Sequence, residues 1–174
     1  MARGRTGNPD RKYRWNGPDE LERYLEIHER KWSGDLCSGV AKKIVWRNPD
    51  RRRTKHAVIY LHGFSASRRE LAPIPGNLAI LLDANLFYTR LTGHGLPGHL
   101  LAAATLDDWL ADAREALAIG RAIGQKVLLM GMSTGAALSV WLAAKSPAQI
   151  GALVLISPNF GLRSTPARLL TYPW

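Results

Sequence analysis

The residues whose types and spacing best suit covalent chemistry lie in Lys126 to Ser139, KVLLMGMSTGAALS. Four apolar residues, Val127 to Met130, run without alternation into Gly131-Met132-Ser133-Thr134-Gly135, and small residues follow. That order reads as a buried parallel strand, a very sharp turn and a helix. A G-x-S-x-G turn at such a junction holds its serine hydroxyl up at the top of the sheet as a nucleophile. The strained backbone there leaves no room for side chains two positions either side, which is why glycine stands at 131 and 135. Ala136, Ala137 and Ser139 let the helix lie close to the strand.

A serine so presented suits acyl transfer, which needs a nucleophile, a base, a group to orient the base, and donors for the oxyanion. Ser133 is the candidate nucleophile. Backbone N–H groups at the start of the following helix, beginning with Thr134, point to where an oxyanion would form. A second donor is the backbone N–H of Phe64, because Gly63 lets the chain turn sharply after His62. Nothing in the sequence calls for a cofactor or a metal.

Three segments, HGF at 62–64, RLTGHG at 90–95 and GMSTG at 131–135, come in an order and spacing that resemble the α/β-hydrolase superfamily. The likeness is greatest to its carboxylesterase and monoacylglycerol-lipase-like branch, and it covers residues 40 to the end. The resemblance implies Ser133 as nucleophile, Phe64 and Thr134 as backbone oxyanion donors, and a GHG loop beside the pocket. It implies a structural role for His94, holding its loop by hydrogen bonds, and for His62, shaping the oxyanion loop. His99 is expected to be exposed. Phe64, Leu96, Met132 and Leu162 would form an apolar rim suited to a small or medium acyl ester.

The sequence also departs from that family. The order there is Ser, then Asp or Glu, then His, yet no Asp, Glu or His follows Ser133; the last acid is Glu115 and the last histidine His99. The expectation is therefore a serine hydrolase of carboxylic esters, present as an N-terminal fragment that lacks acid and base and is inactive alone. The chain would stop at Tyr172-Pro173-Trp174, where the family begins a lid. The alternative is a non-catalytic hydrolase-fold binding protein. Nucleic-acid binding through the basic arm is a third.

The elements that must position these residues follow from periodicity. Pro18-Asp19-Glu20 opens a helix to about Lys31, with Leu21, Tyr24, Leu25 and His28 along one side and charges that suit its dipole. Lys42 to Trp46 reads as a short strand, with Arg51-Arg52-Arg53 in a hairpin turn after it. His56 to His62 and Asn85 to Leu91 are further strands. Arg68 to about Leu82 is helical in pattern but interrupted by Pro73 and Pro75. Thr105 caps a helix to Ile123, with Asp108 completing a capping box and Leu106, Trp109, Leu110, Ala113, Leu117 and Ile123 as its buried stripe. Residues 134–145 form the helix after Ser133, and Ile150 to Ile156 the last strand. Near-continuous apolar strands alternating with helices indicate α/β architecture: a mostly parallel, doubly wound sheet covered on both faces, lacking the last strand–helix units. Ligands of such sheets bind beyond the carboxyl ends of the strands.

In domain terms, residues 1–35 read as a basic arm and N-terminal helix, and 36–174 as a partial core. The chain of 174 residues has net charge +10, of which residues 1–55 carry +7. That basicity lies in an entry segment with no nucleic-acid motif, so no nucleic acid is expected as partner. The single Cys37 and the absence of an apolar leader or a membrane-length apolar run fit a cytoplasmic chain. Ile150–Ile156 would be an exposed apolar edge, prone to aggregate or to pair with another chain or segment.

Overall fold

A computed structural model describes residues 13–161. Its elements are α1 (Pro18–Arg30), β1 (Lys43–Val45), β2 (Thr54–Leu61), α2 (Ile74–Leu81), β3 (Asn85–Tyr88), α3 (Gly98–Ala103), α4 (Leu106–Ile123), β4 (Gly124–Met132), α5 (Thr134–Lys145) and β5 (Ile150–Ile156). The strands form one sheet in the order β1-β3-β2-β4-β5. β2, β3, β4 and β5 are mutually parallel, and only β1 runs antiparallel, against β3.

Alternation along the interior strands sorts the core into two faces. Ile59, Leu61, Phe87, Val127 and Leu129 face α1, α4 and α5, meeting Leu21, Leu25, Ala113, Ile119 and Leu138. Val58 and Leu86 face the other way and pack with Ala79 of α2. β2 is the most deeply buried strand, with Ala57 to Leu61 fully covered. Among the described residues β5 pairs with β4 alone, and Gly151 to Leu153 in it are exposed. α4 carries the capping box: Thr105 Oγ1 accepts the Asp108 N–H at 3.2 Å, and Asp108 accepts the Thr105 N–H at 2.9 Å.

Several details differ from the sequence reading. Arg51-Arg52-Arg53 is not a hairpin turn, because β3 inserts between β1 and β2. The triplet lies in a connection tied down by Asn85, whose buried side-chain amide donates to the carbonyls of Arg52 and Ile123 at 2.9 and 2.8 Å. Helix α2 begins only at Ile74, since the prolines at 73 and 75 cannot donate within a helix and fit its first turn alone. Leu106 is 64% exposed; it occupies the first turn of α4, before the helix reaches the sheet. The second face carries α2 only beside β2 and β3 among the described residues, so cover there is partial. The short α3 had no periodic signal. Leu162, Pro166 and Tyr172 to Trp174 lie outside the described residues, as do residues 1–12 of the basic arm.

A buried ionic cluster fixes α1 and the segment after it onto α4. Lys42 Nζ pairs with Glu115 and lies 3.5 Å from Asp112, and the Tyr24 hydroxyl donates to Glu115 at 2.6 Å. Burial alone would lower the Lys42 pKa, but the two carboxylates beside it raise it above the ordinary value and hold the ammonium charged. Burial raises the Asp112 pKa, against the pull of Lys42. Removing one partner of such a cluster leaves a charge without compensation in low dielectric. Lys42→Met is therefore expected to destabilise the fold by about 3–5 kcal/mol, read as a lowered urea midpoint. A loss below about 1 kcal/mol, the range of exposed ion pairs, would contradict a cluster closed to water.

Candidate active site

β4 delivers Ser133 to the carboxyl end of the sheet in a backbone geometry that few non-glycine residues adopt. Its φ is 50° and its ψ −112°, and α5 starts at the next residue. Such a conformation costs about 1–3 kcal/mol and persists only where the surroundings enforce it. Here the Ser133 N–H donates to the Ile156 carbonyl at 2.9 Å, and the Ser133 carbonyl accepts the Asn159 N–H at 3.2 Å. The flanking glycines are required by contact. A Cβ on Gly131 would lie 2.5 Å from Ala136 Cα, and one on Gly135 would be driven into the Leu61 and His62 carbonyls. The first turn of α5 thus rests directly on the end of β2. Ser139 Oγ donates to the Gly135 carbonyl at 2.8 Å and closes that turn.

The same contact places the two amides singled out from the sequence. β2 and β4 are parallel neighbours with Leu61 paired to Gly131, so Gly63 and Ser133 emerge two residues later at the same end. Gly63 donates its N–H to Glu70 Oε2 at 2.8 Å, and Tyr60 Oη donates to the same oxygen at 2.9 Å. Ser65 has φ 56°, which completes the bend around Phe64. Among the described residues no acceptor meets the N–H of Phe64 or of Thr134. The Phe64 ring is 58% exposed and stands edge-on to His94 and Trp109, each 5.9 Å away between ring centres. Met132 and Leu96 are half-buried.

Both histidines near this end are consumed by backbone groups. His62 Nδ1 donates to the Gly63 carbonyl at 2.8 Å, and its Nε2 accepts the Leu91 N–H at 3.0 Å. Burial pushes its pKa down to about 4, with only the Gly63 carbonyl pulling it up. His94 Nε2 accepts the Ser65 N–H at 3.1 Å, and Nδ1 lies 3.2 Å from the Thr92 carbonyl. Burial lowers the pKa of His94 as well. Neither ring has a nitrogen left for the Ser133 hydroxyl, which has no hydrogen-bond partner among the described residues. His99 is exposed.

Other residues, without a signal of their own in the sequence, support these segments. Glu70 holds the Gly63 amide. Asp112 accepts the Thr92 N–H at 2.6 Å, and Trp109 Nε1 donates to the Thr92 carbonyl at 3.0 Å. These carboxylates and the indole lie at no fixed offset from the motifs they support. No group of three or more His, Cys, Asp or Glu is arranged to hold a metal ion among the described residues.

A family model described as serine aminopeptidase, S33, matches residues 52–172. Among similar solved structures is one from work on LipS and LipT, two metagenome-derived lipolytic enzymes. It is 24% identical with a TM-score of 0.69, and the match covers 79% of this chain and 53% of that one. Est1E from Butyrivibrio proteoclasticus, solved with ferulic acid bound, is 20% identical with a TM-score of 0.56, over 70% and 51% of the two chains. A thioesterase domain from the curacin biosynthetic pathway is 22% identical with a TM-score of 0.55, over 77% and 48%. The chain therefore spans about half the length of these structures, and at such identities the likeness is one of fold. No curated protein matches it.

Two outcomes follow from this geometry. Gly135→Ala is expected to cost at least the 1–3 kcal/mol of an overpacked core, because the Cβ meets backbone carbonyls that cannot rotate away; a wild-type denaturation midpoint would refute the close approach. His62 sets an acid limit. Unfolding releases a histidine of ordinary pKa 6.5 from a site where it is about 4. The unfolded chain thus binds more protons below pH 6.5. The contribution is complete above that pH and is lost as pH falls towards 4, by about 3 kcal/mol. Urea midpoints between pH 7 and 4 measure it, and His62→Gln should flatten the decline while lowering stability throughout.

Proposed function

Since the chain belongs to the serine aminopeptidase S33 family of α/β-hydrolases, we propose that it is the nucleophile-bearing part of a serine hydrolase acting on carboxylic esters. The observation that carries the reading is Ser133 itself. Its backbone is held at φ 50° by two hydrogen bonds and two close glycine contacts, at the strand end where two amides have no acceptor among the described residues. Strain of that kind is maintained at sites that use it.

In the proposed reaction Ser133 Oγ attacks the acyl carbon and its proton passes to a base. The oxyanion lies between the N–H groups of Phe64 and Thr134, the alcohol departs, and water releases the acid from the acyl-serine. Removing one such donor costs about 3–4 kcal/mol in comparable enzymes. The exposed Phe64 ring with Met132 and Leu96 supplies apolar cover for a small or medium acyl group. The reading requires base and acid from beyond these 174 residues, on further chain or on a partner.

The unpartnered Ser133 hydroxyl favours one second reading, a hydrolase-fold protein that binds a ligand without turning it over. A fluorophosphonate probe separates the two. Labelling that is slow, is quickened by added imidazole as an external base and vanishes in Ser133→Ala, with little turnover of p-nitrophenyl esters by this chain alone, is the expected result. Folded protein that takes up no label supports the binder. Rapid ester turnover would mean that a base has been overlooked, and His94→Ala and His62→Ala would locate it.

A further inference from the structure

We propose that Glu29 and Arg90 are positioning residues for the Phe64 amide: their ion pair ties α1 to the loop after β3 and fixes the bend that carries this donor. The inference rests on the hydrolase reading above. It brings into the site a stretch of chain that precedes residue 52, where the family match begins.

The connection can be followed atom by atom. Arg90 Nε and Nη2 donate to the two carboxylate oxygens of Glu29 at 2.9 and 2.8 Å. The remaining arm, Nη1, donates to the His94 carbonyl at 3.2 Å. The His94 ring accepts the N–H of Ser65, the residue after Phe64. The two charged side chains are only 6% and 12% exposed, so the fork is shielded from competing water. Residues after α1 press on the same loop. Cys37 donates its N–H to the Gly95 carbonyl at 2.9 Å, and Glu29 Oε2 also accepts the Lys42 N–H at 3.1 Å. Gly95 has φ 71°, and a Cβ there would come within 2.5 Å of Val40 Cγ2.

The Phe64 ring is mostly exposed, so polar ties hold its bend: before it, Glu70 takes the Gly63 N–H while the His62 ring and the Ala66 N–H meet the Gly63 carbonyl at 2.8 and 3.3 Å. After it, the tie to another loop is the Ser65 N–H on the His94 ring. A donor amide stabilises an oxyanion only when aimed at it, and a misplacement of about 1 Å can cost on the order of a hundredfold in rate. Arg90 touches neither substrate nor Ser133. It sets where the His94 loop stands, and through that ring the direction of the Phe64 N–H.

The test uses the full chain and replaces both charges together, Glu29→Leu with Arg90→Met, because an apolar pair leaves no buried charge behind. Amide exchange at Ser65 should quicken and the His94 Nε2 resonance should move towards that of a ring without a donor. Fluorophosphonate labelling of Ser133 should slow by about tenfold or more. Arg90→Lys keeps the charge but loses the fork, so it gives the same loosening of Ser65 and serves if the double variant does not fold. Unchanged Ser65 exchange and His94 resonance overturn the inference, and so does an unchanged labelling rate once Ser65 has loosened. Absence of labelling in the unaltered protein overturns the hydrolase reading and this inference with it; labelling that keeps its unaltered rate in the variants overturns this inference alone.

Discussion

The structure depends on how closely the first turn of α5 approaches the end of β2. Gly135 lies so near the Leu61 and His62 carbonyls that no side chain fits between them. That single approach fixes several things together. It sets the height of Ser133 above the sheet, brings the first amide of α5 beside the bend at Gly63, and forces the left-handed conformation at residue 133. A dense interior makes such an arrangement possible, because packed backbone does not yield by small amounts. The large strand-end contact between β2 and β4 supplies the rigid floor on which it rests.

Around that floor the site is built by polar side chains that hold loops. Glu70 and His94 grip the bend at Phe64 from either side, while His62 joins the ends of β2 and β3. The neutrality of both rings matters here, since each must accept an N–H through Nε2. A doubly protonated imidazole has no acceptor to offer. The histidines therefore act as fixed connectors and keep their protons at physiological pH, which is the opposite of what a catalytic base needs.

Much of this was legible in the residues. The unbroken apolar runs at 57–61 and 127–130 gave the interior parallel strands, Thr105 and Asp108 gave the start of α4, and G-x-S-x-G gave the turn. What escaped the reading is long-range. β1 and β2 are neighbours in sequence but not in space, because β3 lies between them, so the arginine triplet spans a connection instead of a hairpin. Leu106 matched the helical period yet sits in a turn that overhangs the sheet. The partners of the motif residues, Glu29, Glu70 and Asp112, carry no local signal at all. A carboxylate finds its donor through the folded path of the chain, and no spacing rule encodes that path.

The brace on Ser133 reaches the rim of the described sheet. The Ser133 N–H hangs from the carbonyl of Ile156, the last residue of β5, and among the described residues β5 pairs with β4 alone. The outermost described strand is thus a lever arm for the serine: whatever stiffens or tilts that strand is felt one hydrogen bond away, at the main chain of residue 133. Mechanical support for that main chain is consequently shared between the outermost described strand and the deeply buried β2 beneath it.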